Sequence, residues 1–279
     1  MERKVMGQIK GYRTKDGAGV SLVRVLGNQT VMEYDPILML DSFDSLNPED
    51  YIAGFPLHPH RGIETISYVY RGYMTHKDSL GNEDTIGDGE VQWMTAGSGI
   101  MHEEKLPAAK RLLGVQLWLN LPAKDKMVAP AYLSIKNKDI KEIPIPGGKV
   151  RLLAGKYENE MGYQSKYLPL DYYDIHLEEN SIITIKTDKE RSIMLFTLLN
   201  DATISGQLVK EKTAVKLSTG DFVTIKTEDR KAQVLFVSSF AIKEPVVWGG
   251  PIVMNTREEL EQAYFDLRKG TFLKQKISY

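Results

Sequence analysis

The sequence predicts an all-β chain, a sandwich or barrel architecture that ends in one helix. Three observations carry that expectation. Short stretches rich in Val, Ile, Leu and aromatic residues recur along the chain, and Gly, Asp, Asn or Pro bounds each of them. One stretch alternates strictly: Val115, Leu117 and Leu119 fall on one face, Gln116, Trp118 and Asn120 on the other. The two halves also repeat weakly. Residues 86–97 (IGDGEVQWMTAG) and 217–229 (LSTGDFVTIKTED) both run from a Gly/Asp turn into an apolar strand, which suggests two barrels.

Taken in order, strands are expected at 19–27, 36–43, 63–72, 90–97 and 111–121. Residues 121–149 differ. They are polar, carry Pro122, Pro130, Pro144 and Pro146, and lack periodicity, so they read as a connection between domains. Strands resume at 150–157, 172–177, 181–187, 192–199, 213–227 and 232–239. The division expected is therefore a first domain at 1–122, a linker at 123–148 and a second domain at 149–279. The second domain would end in a helix at 256–269. Thr256 and Glu259 form a capping box there, Leu260, Ala263, Tyr264 and Leu267 make an apolar stripe, and Gly270 stops it.

Composition narrows the function. The chain is 42% hydrophobic, enough for full cores, and its net charge of −1 supplies no drive toward nucleic acid or an anionic membrane. It has no cysteine, which excludes disulfides and thiolate metal sites. The first residues lack the apolar core of a signal peptide, and no window holds the ~20 apolar residues that cross a bilayer. A soluble, intracellular, cytoplasmic monomer is expected.

Two clusters carry chemistry. In residues 55–64 (FPLHPHRGIE), strand alternation would put His58, His60 and Glu64 on one face. In residues 94–107 (MTAGSGIMHEEKLP), His102 and Glu104 share a face and Glu103 points away. His58, His60, His102 and Glu104 together suit one divalent metal such as Fe(II), Mn(II), Ni(II) or Zn(II), with positions left for water, O₂ or substrate. An H-x-H pair alone is more often incidental. A second H-x-E in a neighbouring strand is what raises it to a metal site. His76 and His176 read as structural or solvated residues. The Gly-x-Gly at 97–99 lacks the third glycine and the following helix of a dinucleotide loop.

The stretch G-x-x-x-H-x-H-x-x-x-E at 54–64 resembles the first motif of cupins, small barrels that hold a metal in their mouth. The distance from Glu64 to Gly72 is one residue longer than usual, and TAGSGIMH stands where cupins commonly carry P-x-G-x-x-H. Both departures resemble pirins, a bicupin family. FPLHPHRGIETISYVYRG, GEVQWMTAGSGIMHEE, VQLWLNLP and EPVVWGGPIVMNTREELEQA are similar to pirin segments and follow in the same order. The likeness runs from about Arg24 to Phe272 and is strongest over 54–122 and 243–266. It implies two antiparallel cupin barrels, jelly-roll-like, and a single metal in the first, bound by His58, His60, His102 and Glu104. Iron(II) is the first expectation, with Mn, Ni, Co or Zn as alternatives. Glu64, a ligand position in many cupins, would be a pocket carboxylate here.

Some pirins are described as quercetin 2,3-dioxygenases, which open a flavonol with O₂ and release carbon monoxide. The resemblance implies that activity, with a small aromatic substrate and O₂ as partners. Glu104 is the expected base and Glu64 the second candidate. Phe55, Met74 and Trp93 are expected pocket walls, and the Gln116/Trp118 face would orient a planar ligand. The alternative is a metal-dependent regulatory protein that binds a transcription factor or metabolic enzyme without turning over substrate.

Overall fold

The computed structural model describes residues 1–275. The chain forms two compact units. One comprises Arg13–Val31, Ile37–Lys136 and the chain from Ile242 onward; the other comprises Met1–Tyr12, Met32–Pro36 and Asn137–Ala241.

In the first unit a seven-stranded sheet runs in the order Ala131–Ile135, Glu90–Thr95, Ile63–Arg71, Leu112–Asn120, Ile37–Ser45, Val20–Leu26, Tyr12–Asp16. A four-stranded sheet accompanies it, in the order Phe55–His60, Ile100–Lys105, Met74–Asp78, Glu83–Ile86. The second unit repeats this plan. Its seven-stranded sheet is ordered Val5–Lys10, Thr213–Leu217, Arg191–Leu199, Ala232–Phe240, Leu170–Leu177, Gly148–Ala154, Lys141–Ile145. Its four-stranded sheet is Ile182–Lys186, Phe222–Lys226, Ala202–Ile204, Gln207–Val209. Apart from the pairing of Tyr12–Asp16 with Val20–Leu26, the neighbours within these sheets run antiparallel.

The chain thus has two similar barrels, but the two segments 86–97 and 217–229 that suggested them are not equivalent. By position in the sheets, Glu90–Thr95 corresponds to Thr213–Leu217, whereas Phe222–Lys226 corresponds to the Ile100–Lys105 strand. Gly/Asp turns precede many strands, so turn composition alone cannot set the register.

The expected division of the chain also differs from the compact units. Residues 123–148 are not a bare linker. They supply Ala131–Ile135 at the edge of one sheet and Lys141–Ile145 at the edge of the other. Edge positions tolerate Pro144, because the missing amide hydrogen has no partner to lose. Val5–Lys10 pairs with Thr213–Leu217 in the second unit. The C-terminal helix Arg257–Lys269 belongs to the first unit, not the second.

That helix is capped as the sequence implies. Thr256 accepts from the Glu259 amide, Glu259 reaches back, and Gly270 closes the last turn at φ 70°. Its stripe packs on the hairpin Val247–Gly249/Ile252–Met254, with Ala263 beside Ile252, Met254 and Phe272. The anchor is polar. The buried Arg61 guanidinium donates to Asp266 Oδ2 at 3.0 Å, Ser98 O at 2.8 Å and Phe272 O at 2.9 Å, and lies 4.2 Å over the Phe272 ring. Burial pushes the Asp266 carboxyl up, but hydrogen bonds from Lys274, Gln262 and Arg61 outweigh that and hold its pKa down to about 2.

A depressed carboxyl stabilises the fold above its unfolded pKa of about 4 and loses that contribution as pH falls toward about 2. Asp266→Asn is therefore expected to lower Tm at pH 7, and the gap to the parent protein should close between about pH 4 and pH 2. A gap that stays constant across that window would show the carboxylate charge to be irrelevant.

Candidate metal centre

The two histidine-bearing strands are antiparallel neighbours. Their register sets His58 opposite His102 and His60 opposite Ile100, and it slips at a bulge so that Glu104 faces Phe55. Alternation then turns His58, His60, His102 and Glu104 to one side. Bulges commonly re-aim side chains in this way. The ligand atoms of His58, His60 and His102 lie within 4.8 Å of one another.

Hydrogen bonds decide which nitrogens face inward. His58 Nδ1 meets Pro56 O at 2.8 Å and His60 Nδ1 meets Pro251 O at 2.9 Å. A carbonyl can only accept, so both Nδ1 atoms carry hydrogen and both Nε2 atoms present lone pairs. Those two Nε2 atoms face each other at 3.0 Å. His102 Nε2 is buried with no hydrogen-bond partner. Burial, reinforced by the His58 charge, drives the pKa of His60 down to about 3. Burial and the neighbouring histidines drive His102 well below its usual range. Three imidazole nitrogens thus converge on one point, an arrangement that suits a divalent cation. Iron(II), Mn(II), Co(II), Ni(II) and Zn(II) all fit this donor set.

Glu104 stands beside this group and is not part of it in this arrangement. Its buried carboxylate accepts from Gln92 Nε2 at 2.5 Å and from Gln116 Nε2 at 3.1 and 3.0 Å. The two amides come from a polar row across the seven-stranded sheet. Register aligns Arg24 with Asp41, Asp41 with Gln116, Gln116 with Ser67, and Ser67 with Gln92. At one end of the row, Asp41 holds Arg24 by two bonds at 2.9 and 2.7 Å, and Asp16 adds a third at 2.6 Å.

A cavity of about 560 Å³ opens onto His58, His60 and Glu104, within the usual size of a small-molecule site. Phe55, Gln116 and Trp118 are among the residues that line it. Trp118 stands edge-on to His60 at 5.0 Å and lies 5.6 Å from Trp248. Glu64, Met74 and Trp93 do not line it. The strand that carries His58 and His60 ends at His60, and Ile63–Arg71 begins in the other sheet. Gly62 makes the break at φ 80°, where a Cβ would sit 2.0 Å from Val253 O. Glu64 therefore does not share a face with the histidines. It pairs across from Thr95, which donates to it at 2.7 Å, and burial pushes its carboxyl up. Trp93 points away from the neighbouring Gln92 by strand alternation, and Met74 is a fully buried core residue.

Several site residues escape a reading of the sequence. His76 is not solvated near a turn; it is fully buried, stacked 4.1 Å from the Tyr132 ring and in contact with His102. Its H-x-D spacing to Asp78 is the one available signal. Gln92, Arg24, Asp41 and Asp16 carry no local signal, since only sheet register brings them to the site. Trp248 and Pro251 arrive from the C-terminal hairpin, far along the chain.

Residues 19–119 match the family model described as Pirin, and residues 172–273 match the Pirin C-terminal cupin domain. A Caulobacter vibrioides protein named pirin-like is 39% identical over 274 residues, spanning 97% of this chain and 99% of its own. The chain belongs to the pirin family. A Pseudomonas aeruginosa relative, provisionally named a quercetin 2,3-dioxygenase, is 39% identical over 280 residues, covering 96% of this chain and 97% of its own. The crystal structure of a quercetin 2,3-dioxygenase from Acinetobacter baumannii superimposes with a TM-score of 0.90 at 30% identity, over 98% of this chain and 99% of that one. The strands of the second barrel that correspond to the histidine strands, Ile182–Lys186 and Phe222–Lys226, contain no histidine. Among the described residues, no helix is long and apolar enough to cross a membrane.

Proposed function

We propose that the chain is a metal-dependent dioxygenase of the quercetin 2,3-dioxygenase type, acting on a flavonol or similar aromatic enol. One observation carries this reading: three converging imidazoles, two of which, His58 and His60, line an aromatic-walled cavity together with the buried Glu104 carboxylate. The names of the Pseudomonas and Acinetobacter proteins support it.

His58, His60 and His102 would hold one divalent metal, Fe(II) first, and Glu104 could reach it as a further ligand. Bound there, the metal supplies Lewis acidity toward an enolate oxygen and redox access to O₂. The protein's own groups do the rest. Trp118, Trp248 and Phe55 offer flat faces to a planar ring system. Glu104 takes the proton of the flavonol 3-hydroxyl, and the Gln92 and Gln116 amides keep its oxygens aimed at the cavity. In the balanced reaction one flavonol and one O₂ give one ring-opened ester and one carbon monoxide.

Anaerobic loading with Fe(II), followed by quercetin and air, is expected to bleach the flavonol absorption and release carbon monoxide in equal amounts. Absence of turnover with Fe, Mn, Ni and Co alike would overturn the reading in favour of a metal-dependent binding protein.

A further inference from the structure

We propose that His76 and Asp78 form a positioning relay that fixes the tautomer and aim of His102, and so sets how tightly the centre holds a divalent metal. The inference rests on the reading of His58, His60 and His102 as metal ligands. It extends that reading to residues that touch neither metal nor substrate.

Asp78 is a buried carboxylate with a full set of donors. The Leu80 amide reaches it at 2.9 Å, the Asn82 amide at 3.1 Å, and the Asn82 side-chain nitrogen at 2.9 and 3.2 Å. These bonds come from the turn after the Met74–Asp78 strand, so Asp78 is anchored independently of the histidines. His76 Nε2 lies 2.8 Å from Asp78 Oδ2. The carboxylate can only accept, so this nitrogen carries the hydrogen. In the neutral ring, Nδ1 is then an acceptor. His102 Nδ1 meets it at 3.3 Å and must be the donor. The hydrogen on His102 is thereby committed to the side facing His76. Its partnerless Nε2 is left as a lone pair facing His58 and His60.

Sheet register supports the geometry. Met74–Asp78 flanks Ile100–Lys105 on the side opposite Phe55–His60, with Asp78 across from His102 and His76 across from Glu104. The His76 ring is held flat against Tyr132, at 4.1 Å and 8° between planes, which restrains its rotation. His58 and His60 rest on backbone carbonyls. His102 alone is backed by a side-chain pair, and a chain ending in a carboxylate makes a ligand nitrogen more basic than a carbonyl does. A buried His–Asp pair is also costly to desolvate, and apolar side chains would fill the same core space more favourably.

The test uses the full chain stripped of metal, with Co(II) as the probe. Chelator competition gives affinity, and the visible Co(II) bands report ligand geometry. His76→Phe keeps the ring and the stack on Tyr132 but removes the acceptor. It is expected to weaken Co(II) binding by about 10–100-fold and to shift the bands. Circular dichroism and Tm of the metal-free protein should stay close to the parent. His76→Gln restores an acceptor for His102 and is expected to recover most of the affinity. Should His76→Phe fail to fold, Asp78→Asn replaces it, with a smaller loss in the same direction expected. Affinity within about twofold of the parent and unchanged bands in the variant would overturn the relay while leaving the metal site intact. A parent protein that binds no Co(II) would overturn both.

Discussion

Replacing His102 with alanine is expected to abolish metal uptake and turnover together. The variant removes the one ring that the Ile100–Lys105 strand contributes to the cluster, and leaves His58 and His60, two residues apart on a single strand. Two imidazoles cannot enclose an ion from both sides. The loss should exceed the 10–100-fold typical of an outer partner. Equilibrium dialysis against Fe(II) or Co(II) measures it, with thermal unfolding of the metal-free protein as the control for fold. Adding a strong chelator to the parent protein should reproduce the phenotype, and restoring metal should reverse it in the parent only. Quercetin turnover that survives in the metal-deficient variant would place the chemistry elsewhere.

Glu104→Gln is expected to separate binding from turnover. The three imidazoles remain, so metal is retained, but a carboxamide cannot take a proton. Loss of a positioned general base costs about 10²–10⁴ in rate. The fall should appear in kcat under saturating quercetin, with KM little changed, since the substitution conserves shape. Gln92 and Gln116 now donate to the Glu104 carboxylate, and each would meet an amide that offers one acceptor only. Full activity in Glu104→Gln would remove Glu104 from the mechanism. Loss of metal as well as rate would make it a ligand.

Much of the candidate centre is legible in the order of the amino acids alone. His-x-His and His-x-Glu fix parity within a strand, and parity fixes which side chains share a face. This holds for His58 with His60 and for His102 with Glu104, because each pair lies inside one strand. It fails for Glu64, because Gly62 breaks the strand between His60 and Glu64. The expected pocket walls divide the same way. Gln116 and Trp118 share a strand, and both reach the cavity. Met74 and Trp93 are suggested by residue type, and type does not say whether an apolar side chain faces a cavity or a core.

The amino-acid sequence by itself determined the all-β class, most of the strands, the capped helix and the paired chemistry of the histidines. Each of these depends on neighbours a few residues apart: period-two alternation, turn residues, a capping box. Only the tertiary structure decided what lies between distant segments. It put the C-terminal helix and its hairpin with the first barrel, brought Pro251 to His60, set His76 behind His102, and lined up Gln92 and Gln116 against Glu104. The physical reason is long-range pairing. Strand register and the docking of the hairpin bring together residues as far apart as His60 and Pro251, 191 positions along the chain, within hydrogen-bond distance, and no local pattern encodes that choice.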